Sequence, residues 1–308
     1  MADNDAHHDL EDRAHGRSGG RRGGGGRRGR GGGGGGGGMS REVQISKALS
    51  RLLRHQAENA GITLDGEGYA PLDRVLAWGP LRSLQVSFED IQSAVSNNEK
   101  QRFALKPNPA TNPELSTEST TPSDYLIRAN QGHSIKVESS GLLVPITLAG
   151  EDGDEGNPPP EKVVHGTYFA FWAAIVEAGG LKVMGRNHVH CSEGTPEDGV
   201  VSGMRRDAEL MVEIDLERSI KEGGLRWWRS ENGVILTEGD ESGLVSSRFF
   251  KRVTSRTQDV GVLWEDGEWV SDLPAGLKMR VPHGKGPGGG RGGRGGRGRG
   301  GNRNVERS

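Results

Sequence analysis

Cys191 is the only thiol in 308 residues. No disulfide can close within the chain, which fits a reducing compartment. Long hydrophobic runs are also missing. None approaches the roughly 20 apolar residues of a membrane-spanning helix, and the N-terminus lacks the apolar stretch of a secretory signal. The expectation is a soluble, membrane-free, intracellular protein of cytoplasm, nucleus or both. Residues 1–38 and 285–308 are Gly/Arg-rich and nearly without apolar side chains, so they cannot bury enough surface to offset the entropy of ordering and are expected to be disordered tails. The body between them lacks positive charge. The chain totals −2, the tails carry +2 and +6, and about −10 is left on the body. Net charge therefore does not hold this body to a polyanion, and any nucleic-acid contact must come from local Arg/Lys clusters and the tails.

The body divides by pattern. Ser40 suits an N-cap, Glu42 a first turn, and Ile45, Ala48, Leu49, Leu52 and Leu53 recur at helical spacing. Lys47, Arg51 and Arg54 fall on another face of that helix, with His55 beside them. Asp65–Gly68 marks a turn, Leu72, Val75 and Leu76 begin a second helix, and Phe88–Val95 suggests a third. Phe103–Leu105 and Tyr125–Arg128 read as strands around a Pro/Ser/Thr-rich surface insertion at 107–123. Three short helices followed by strands predict a winged-helix-like lobe over 39–148. An acidic, Pro-rich linker at 149–160 separates it from a second lobe at 161–256. There Val163–His165 ends a strand, and Tyr168–Ala178 forms a helix stopped by Gly179-Gly180. Asn187–Cys191 makes a short strand, and Leu210, Val212, Ile214 and Leu216 alternate with polar neighbours as a half-buried strand. Val234–Leu236 is a further strand, and Asn232-Gly233 before it is a tight turn. Many strands with few helices indicate an α+β lobe on a sheet. Residues 257–284 form an extension of open role.

Six segments carry polar chemistry, one of them Ser230-Glu231-Asn232-Gly233-Val234-Ile235-Leu236, which alone is most simply a tight turn between strands. Lys47, Arg51, Arg54 and His55 together make a phosphate-binding surface, because guanidinium forks match phosphate oxygens and imidazole exchanges protons near neutrality; a solvated cationic face is the plainer account. Arg128 closes an apolar run ahead of Gln131-Gly132-His133-Ser134. His165-Gly166-Thr167 pairs an imidazole with a glycine that admits close approach to the backbone. Arg186-Asn187-His188-Val189-His190 puts two histidines on one side of a strand. Ser202-Gly203-Met204-Arg205 precedes the alternating strand. A zinc site from His165, His188, His190 and Cys191 is the competing reading, but the spacing matches no common zinc pattern, and no metal is expected.

In order, Ser-Lys-x-Leu-Ser-x-x-Leu-Arg-His, Arg-Ala-x-Gln-Gly-His-Ser, His-Gly-Thr, Gly-Arg-Asn-His-Val-His, Ser-Gly-Met-Arg and Asn-Gly-Val-Ile-Leu resemble the tRNA 2′-phosphotransferase family over roughly Ser40–Val253. The resemblance implies a winged-helix-like RNA lobe followed by an ADP-ribosyltransferase-like lobe. It implies transfer of a splice-junction 2′-phosphate from tRNA to NAD, giving nicotinamide and ADP-ribose 1″,2″-cyclic phosphate. Arg54, His55, Arg128 and Arg205 map onto the catalytic positions, with Lys47 and Arg51 beside them for RNA phosphate. His165, Gly166, Thr167, Arg186, Asn187, His188 and His190 would hold NAD. The expected partners are 2′-phosphorylated tRNA and NAD, and the expected state is a monomer. Two alternatives share these motifs: an ADP-ribosyltransferase that caps phosphorylated RNA or DNA ends, and a non-catalytic RNA binder with Arg-Gly-Gly tails.

Overall fold

The computed structural model describes residues 39–148, 157–279 and 281. The Gly/Arg tails and most of the acidic linker lie outside the described residues. Helix α1 (Arg41–Arg51) starts where the Ser40 hydroxyl accepts a hydrogen bond from Val43 N, and it buries Ile45 and Leu49. It continues into a wider π-helical turn, Leu52–Gln56. After β1 (Ala70–Pro71) come α2 (Leu72–Ala77), α3 (Gly79–Ser83) and α4 (Phe88–Ser96). Ser87 and Asp90 close a reciprocal capping box at the start of α4. Strands β2 (Phe103–Pro107) and β3 (Tyr125–Ala129) pair antiparallel, with β1 on the far side of β3. Leu52, Leu53, Leu72, Val75, Leu81, Ile91 and Ile127 are fully enclosed between helices and sheet. Helix α3, not anticipated from the sequence, is five residues long and offers too short a period to read.

The insertion after β2 is an irregular loop folded on itself. Asn108 N donates to Asp124 O at 2.8 Å, and Tyr125 OH bonds the carbonyls of Thr117 and Ser119. Buried Asn108 and Asn112 supply side-chain turns that replace regular pairing.

The remaining elements surround a second core. They are α5 (Ser139–Leu142), β4 (Val144–Ile146), β5 (Val163–Thr167), α6 (Phe169–Glu177), β6 (Gly180–Lys182), β7 (Val189–Cys191), β8 (Leu210–Ile214), α7 (Leu216–Gly223), β9 (Trp227–Arg229), β10 (Ile235–Thr237), β11 (Leu244–Ser246), β12 (Phe250–Ser255), β13 (Trp264–Glu265) and β14 (Glu268–Trp269). A four-stranded sheet runs β4-β9-β10-β7 and a five-stranded sheet β14-β13-β12-β8-β5, while β6 and β11 form a separate pair. All pairings are antiparallel. The two large sheets meet at one bridge, where Val164 and Ser192 exchange backbone hydrogen bonds of 2.9 Å. The architecture is thus mixed α and β, with several antiparallel sheets and few helices. Strand β4 lies on the N-terminal side of the expected linker but pairs with β9 in the later sheet.

Strand β8 differs from expectation. Its first three residues are buried on both faces rather than half-buried, with only Glu213 partly open. Met211 packs with Val164, Met204 and Ala208 on the face expected to meet water. Glu209 is also buried and accepts a hydrogen bond from Phe169 N at 3.0 Å, so it caps α6, whose own N-cap residue supplies no side-chain bond. The strand stops at Ile214, not Leu216, because Asp215 accepts from Arg218 N and starts α7. The extension after 256 is part of this core. Leu263 is fully enclosed, and Trp264 meets Trp172 and Phe250 edge to face. Leu263→Ala is therefore expected to cost roughly 2–5 kcal/mol. Urea unfolding checks this, and a loss under about 0.5 kcal/mol, the level of a surface change, would show the extension to be peripheral.

Candidate active site

The functional side chains gather around the loop 130–135, which both cores hold. In the π-helical turn, the widened winding rotates Arg54 away from the surface that Arg51 occupies. Arg54 is buried, whereas Arg51 is exposed and Lys47 is half-buried with Nζ beside Met39 Sδ. The single cationic face expected for Lys47, Arg51 and Arg54 is thus divided. Arg54 O accepts hydrogen bonds from Ser134 N at 3.0 Å and Ile135 N at 3.4 Å, and the Arg54 side chain lies against Gly132. Gly132 has φ +87°, and a Cβ there would sit 3.6 Å from the guanidinium. His55 Nδ1 is 2.8 Å from Ser134 Oγ.

From the other side, Asn187 N donates to His133 O at 2.9 Å and Asn187 Nδ2 donates to Ile135 O at 2.8 Å. Asn187 is therefore committed to holding the loop. The two ring nitrogens of His190 lie 3.0 Å from His188 O and 2.9 Å from the Gln131 side-chain amide. A neutral ring that donates from Nδ1 to a carbonyl must accept at Nε2, so the Gln131 amide presents its NH2 by a half-turn of its end group. His165 Nδ1 donates to His190 O at 2.8 Å. Ser139 Oγ donates to Glu238 Oε1 at 2.8 Å, so its contact with His188 Nε2 at 3.0 Å requires that nitrogen to carry the hydrogen. His188 also packs edge to face on Trp228.

Arg128 rests over Tyr69, 4.7 Å from the ring centroid. Its two Nη groups donate to Glu67 O and to Glu231 Oε2 at 3.1 and 2.9 Å. Arg205 lies beside Tyr168, with Nη1 3.4 Å from the hydroxyl, which in turn donates to Asp207 at 2.7 Å. Burial and the Asp207 carboxylate push the Tyr168 phenol up to about 12. Gly166 explains how Arg205 arrives there. A Cβ on Gly166 would lie 2.9 Å from Ala208 Cβ and 3.0 Å from Met204 Cβ, so the glycine admits the 204–208 segment against β5. The room anticipated there for a ligand is filled on that side by protein. Thr167 is buried, and its carbonyl accepts from Glu209 N.

Electrostatics unite most of these groups. His133 is 98% enclosed, and desolvation, followed by the charges of Arg54, His188 and Arg128, pushes its imidazole down to about 3. Burial lowers His188, although Glu238 opposes the shift. Burial, then Arg186 and His188, hold His190 well below its ordinary range. Arg54, Arg128, Arg186, His133, His188 and His190 therefore form one neighbourhood, and Arg205 meets the Tyr168 ring and hydroxyl at the end of β5. Tyr69, Ser139 and Glu238 were not singled out from sequence, and Glu231 was only part of a turn segment, because only the fold brings them to the motif residues. Burial raises the Cys191 thiol, the Nδ1 atoms of His165 and His190 face carbonyls, and among the described residues no group of three or more His, Cys, Asp or Glu could hold a metal ion.

The His133 shift has a definite consequence for stability. The unfolded chain takes up a proton near 6.5, which the folded protein refuses until about 3. The contribution is complete above about 6.5, shrinks as pH falls, and reaches its minimum near 3. Between pH 6 and 4, His133→Asn should flatten the pH dependence of urea-unfolding stability by about 1.4 kcal/mol per pH unit, the value for one proton. Parallel profiles would contradict the buried neutral state.

Comparison with known proteins matches the sequence to a family. The family model described as "RNA 2′-phosphotransferase, Tpt1 / KptA family" matches residues 40–239. The chain is 41% identical over 216 residues to tRNA 2′-phosphotransferase 1 of Bos taurus, covering 68% of this chain and 74% of that protein. It is 40% identical over 212 residues to tRNA 2′-phosphotransferase 1 of Homo sapiens, covering 68% and 75%. With tRNA 2′-phosphotransferase of Saccharomyces cerevisiae it shares 38% identity over 200 residues, covering 64% and 79%. The matched span includes all the motif residues above, from Lys47 to Arg205, and the chain belongs to the RNA 2′-phosphotransferase family of enzymes.

Proposed function

We propose that this enzyme removes the 2′-phosphate from a tRNA splice junction by transferring it to NAD, leaving 2′-hydroxyl RNA, nicotinamide and ADP-ribose 1″,2″-cyclic phosphate. One observation carries the reading: motifs far apart in sequence supply Arg54, His55, Arg128 and the 130–135 loop to one neighbourhood, with the His188–His190 segment closing its other side. On this reading, the core built from 45–129 is the winged-helix-like RNA lobe. The sheets from β4 onward are the ADP-ribosyltransferase-like lobe, to which the hairpin after 256 belongs.

The residues suit NAD. His133 Nε2 and Arg128 Nε are buried polar atoms without a hydrogen-bond partner in the protein, a costly condition that a polar ligand relieves. On this reading His165, Arg186, His188 and His190 would hold the dinucleotide from the open side, with Gly166 and Thr167 shaping the backbone beneath it, while Asn187 holds the loop behind them. NAD supplies an electrophilic ribose carbon with nicotinamide as leaving group, and a neighbouring ribose hydroxyl. The protein's part is positioning and charge. A 2′-phosphate is already anionic at neutral pH and needs no general base to act as nucleophile, so Arg54, Arg128 and Arg205 neutralise and aim it. In the second step the neighbouring ribose hydroxyl attacks the phosphorus and loses its proton as the bond to the RNA 2′-oxygen breaks. One proton is thus released for the one that oxygen gains, and the arginines balance charge on the equatorial oxygens. His55, oriented by Ser134, returns a proton to the RNA 2′-oxygen. Neutral His133, His188 and His190 allow the positive charge to reside on arginines, which stay protonated throughout.

The test is an RNA oligonucleotide carrying one radiolabelled internal 2′-phosphate, incubated with and without NAD. Label should move to ADP-ribose cyclic phosphate only with NAD. Arg54→Ala, Arg128→Ala and Arg205→Ala should each lower the rate by about 10²–10³-fold, and His55→Asn should accumulate label on an RNA–ADP-ribose adduct. Wild-type protein that stops at a stable adduct would make this an end-capping transferase instead, and no transfer at all would leave an RNA binder.

A further inference from the structure

Arg128 is one of two cations gathered on Tyr69. Lys106 Nζ stands 4.0 Å from the same ring centroid, and its ammonium meets Glu67 Oε2 at 2.6 Å. The register of β2 and β3 pairs Ala104 with Arg128 and Lys106 with Leu126. Because side chains alternate along a strand, Lys106 and Arg128 share one face of the sheet as diagonal neighbours. Both cations contact the Tyr69 ring, with side-chain exposures of 35% and 12%. Their counter-ions are anchored less firmly. Glu67 and Glu231 side chains are 54% and 55% exposed, and each contributes one carboxylate at the solvent side of its partner. Exposed ion pairs of this kind are weak and yield readily to a better anion.

We propose that Lys106 and Arg128 form a two-cation phosphate clamp in which Lys106 takes an RNA backbone phosphodiester next to the 2′-phosphate, and that Glu67 and Glu231 occupy the two anion positions until RNA displaces them. This rests on the reading of Arg128 as a 2′-phosphate ligand. The chemistry follows from the substrate. An internal 2′-phosphate always has a phosphodiester on the adjacent ribose carbon, whereas a free phosphate does not. A clamp that needs both anions therefore selects internal 2′-phosphates. Tyr69 holds both like charges on one residue because the faces of an aromatic ring attract cations. The carboxylates limit the repulsion between the two cations while RNA is absent, and Arg128 Nη1 on Glu67 O fixes the fork's orientation.

The experiment uses full-length protein and two RNAs with the same internal 2′-phosphate, one with a natural adjacent linkage and one with a neutral methylphosphonate there. On the natural RNA, Lys106→Met should raise KM about tenfold and make the salt slope of RNA binding shallower by about 0.7, the value for one phosphate contact on a single strand. On the methylphosphonate RNA, wild-type and Lys106→Met should have the same KM. Glu67→Gln and Glu231→Gln should each lower KM on the natural RNA severalfold. An unchanged KM in Lys106→Met, or an equal loss on both RNAs, would overturn the clamp. Anisotropy binding of the same RNAs needs no turnover, so a subsite without phosphate transfer would be seen as such: RNA affinity would still depend on Lys106 while no label reached NAD.

Discussion

The loop from Asn130 to Ile135 is the constraint on which the site depends. It carries no regular pairing of its own, so its polar backbone groups must be met from outside. Arg54 O meets two of its N–H groups from one core, and Asn187 meets two of its carbonyls from the other. Gln131 adds a third tie to His190. With the loop fixed at both flanks, Arg54 packs on Gly132, His55 reaches Ser134, and His133 is enclosed between Arg54, Arg128 and His188. Loss of either flank would release the whole constellation at once, because one loop carries contacts to both sides.

Further hydrogen bonds tie the same two cores around that loop. Asn232, in the turn between β9 and β10, donates to Lys100 O, and Ser202 Oγ reaches the same carbonyl. Arg206 meets Glu99 at 2.5 Å, and Glu231 meets Arg128. The turn that looked like a simple strand connection is thus also a docking element: Gly233, at φ +75°, makes the tight corner that lets Asn232 point across. The Ser202–Arg205 motif is held in a similar way, with Ser202 on Lys100 and Met204 in the space beside Gly166. Motif residues that contact no substrate on the proposed reading are therefore explained by assembly of the site.

Charge is arranged economically. The body is acidic overall, yet three arginines and three neutral histidines occupy the junction. Burial removes charge from imidazoles but not from guanidinium groups, whose intrinsic basicity is too high. The result is a site whose permanent positive charge resides on guanidinium groups, with neutral His188 and His190 as hydrogen-bonding walls beside them.

Local pattern by itself determined several elements: α1 with its Ser40 cap, α2, α4, β2, β3, the stop of α6 at Gly179 and the turn at Asn232-Gly233. Each depends on interactions within a few residues, which a sequence displays directly. The order of short motifs also determined the family, because six such segments in one order are too specific to arise from composition. Only the tertiary structure decided the rest. Strand β8 is buried on both faces over Leu210–Val212 because Met204 and Ala208 cover Met211, and no periodicity within the strand reports what packs on it. Arg54 turns inward because the helix widens to a π turn that the loop's hydrogen bonds accompany. Tyr69, Ser139, Glu231 and Glu238 enter the site through contacts 49 to 103 residues apart in sequence or through a shared ring. The hairpin after 256 belongs to the core because Leu263 and Trp264 fill space left by α6 and β12. Long-range packing selects among local possibilities by burial and by the need to satisfy every enclosed polar group, and neither is visible until the chain has folded.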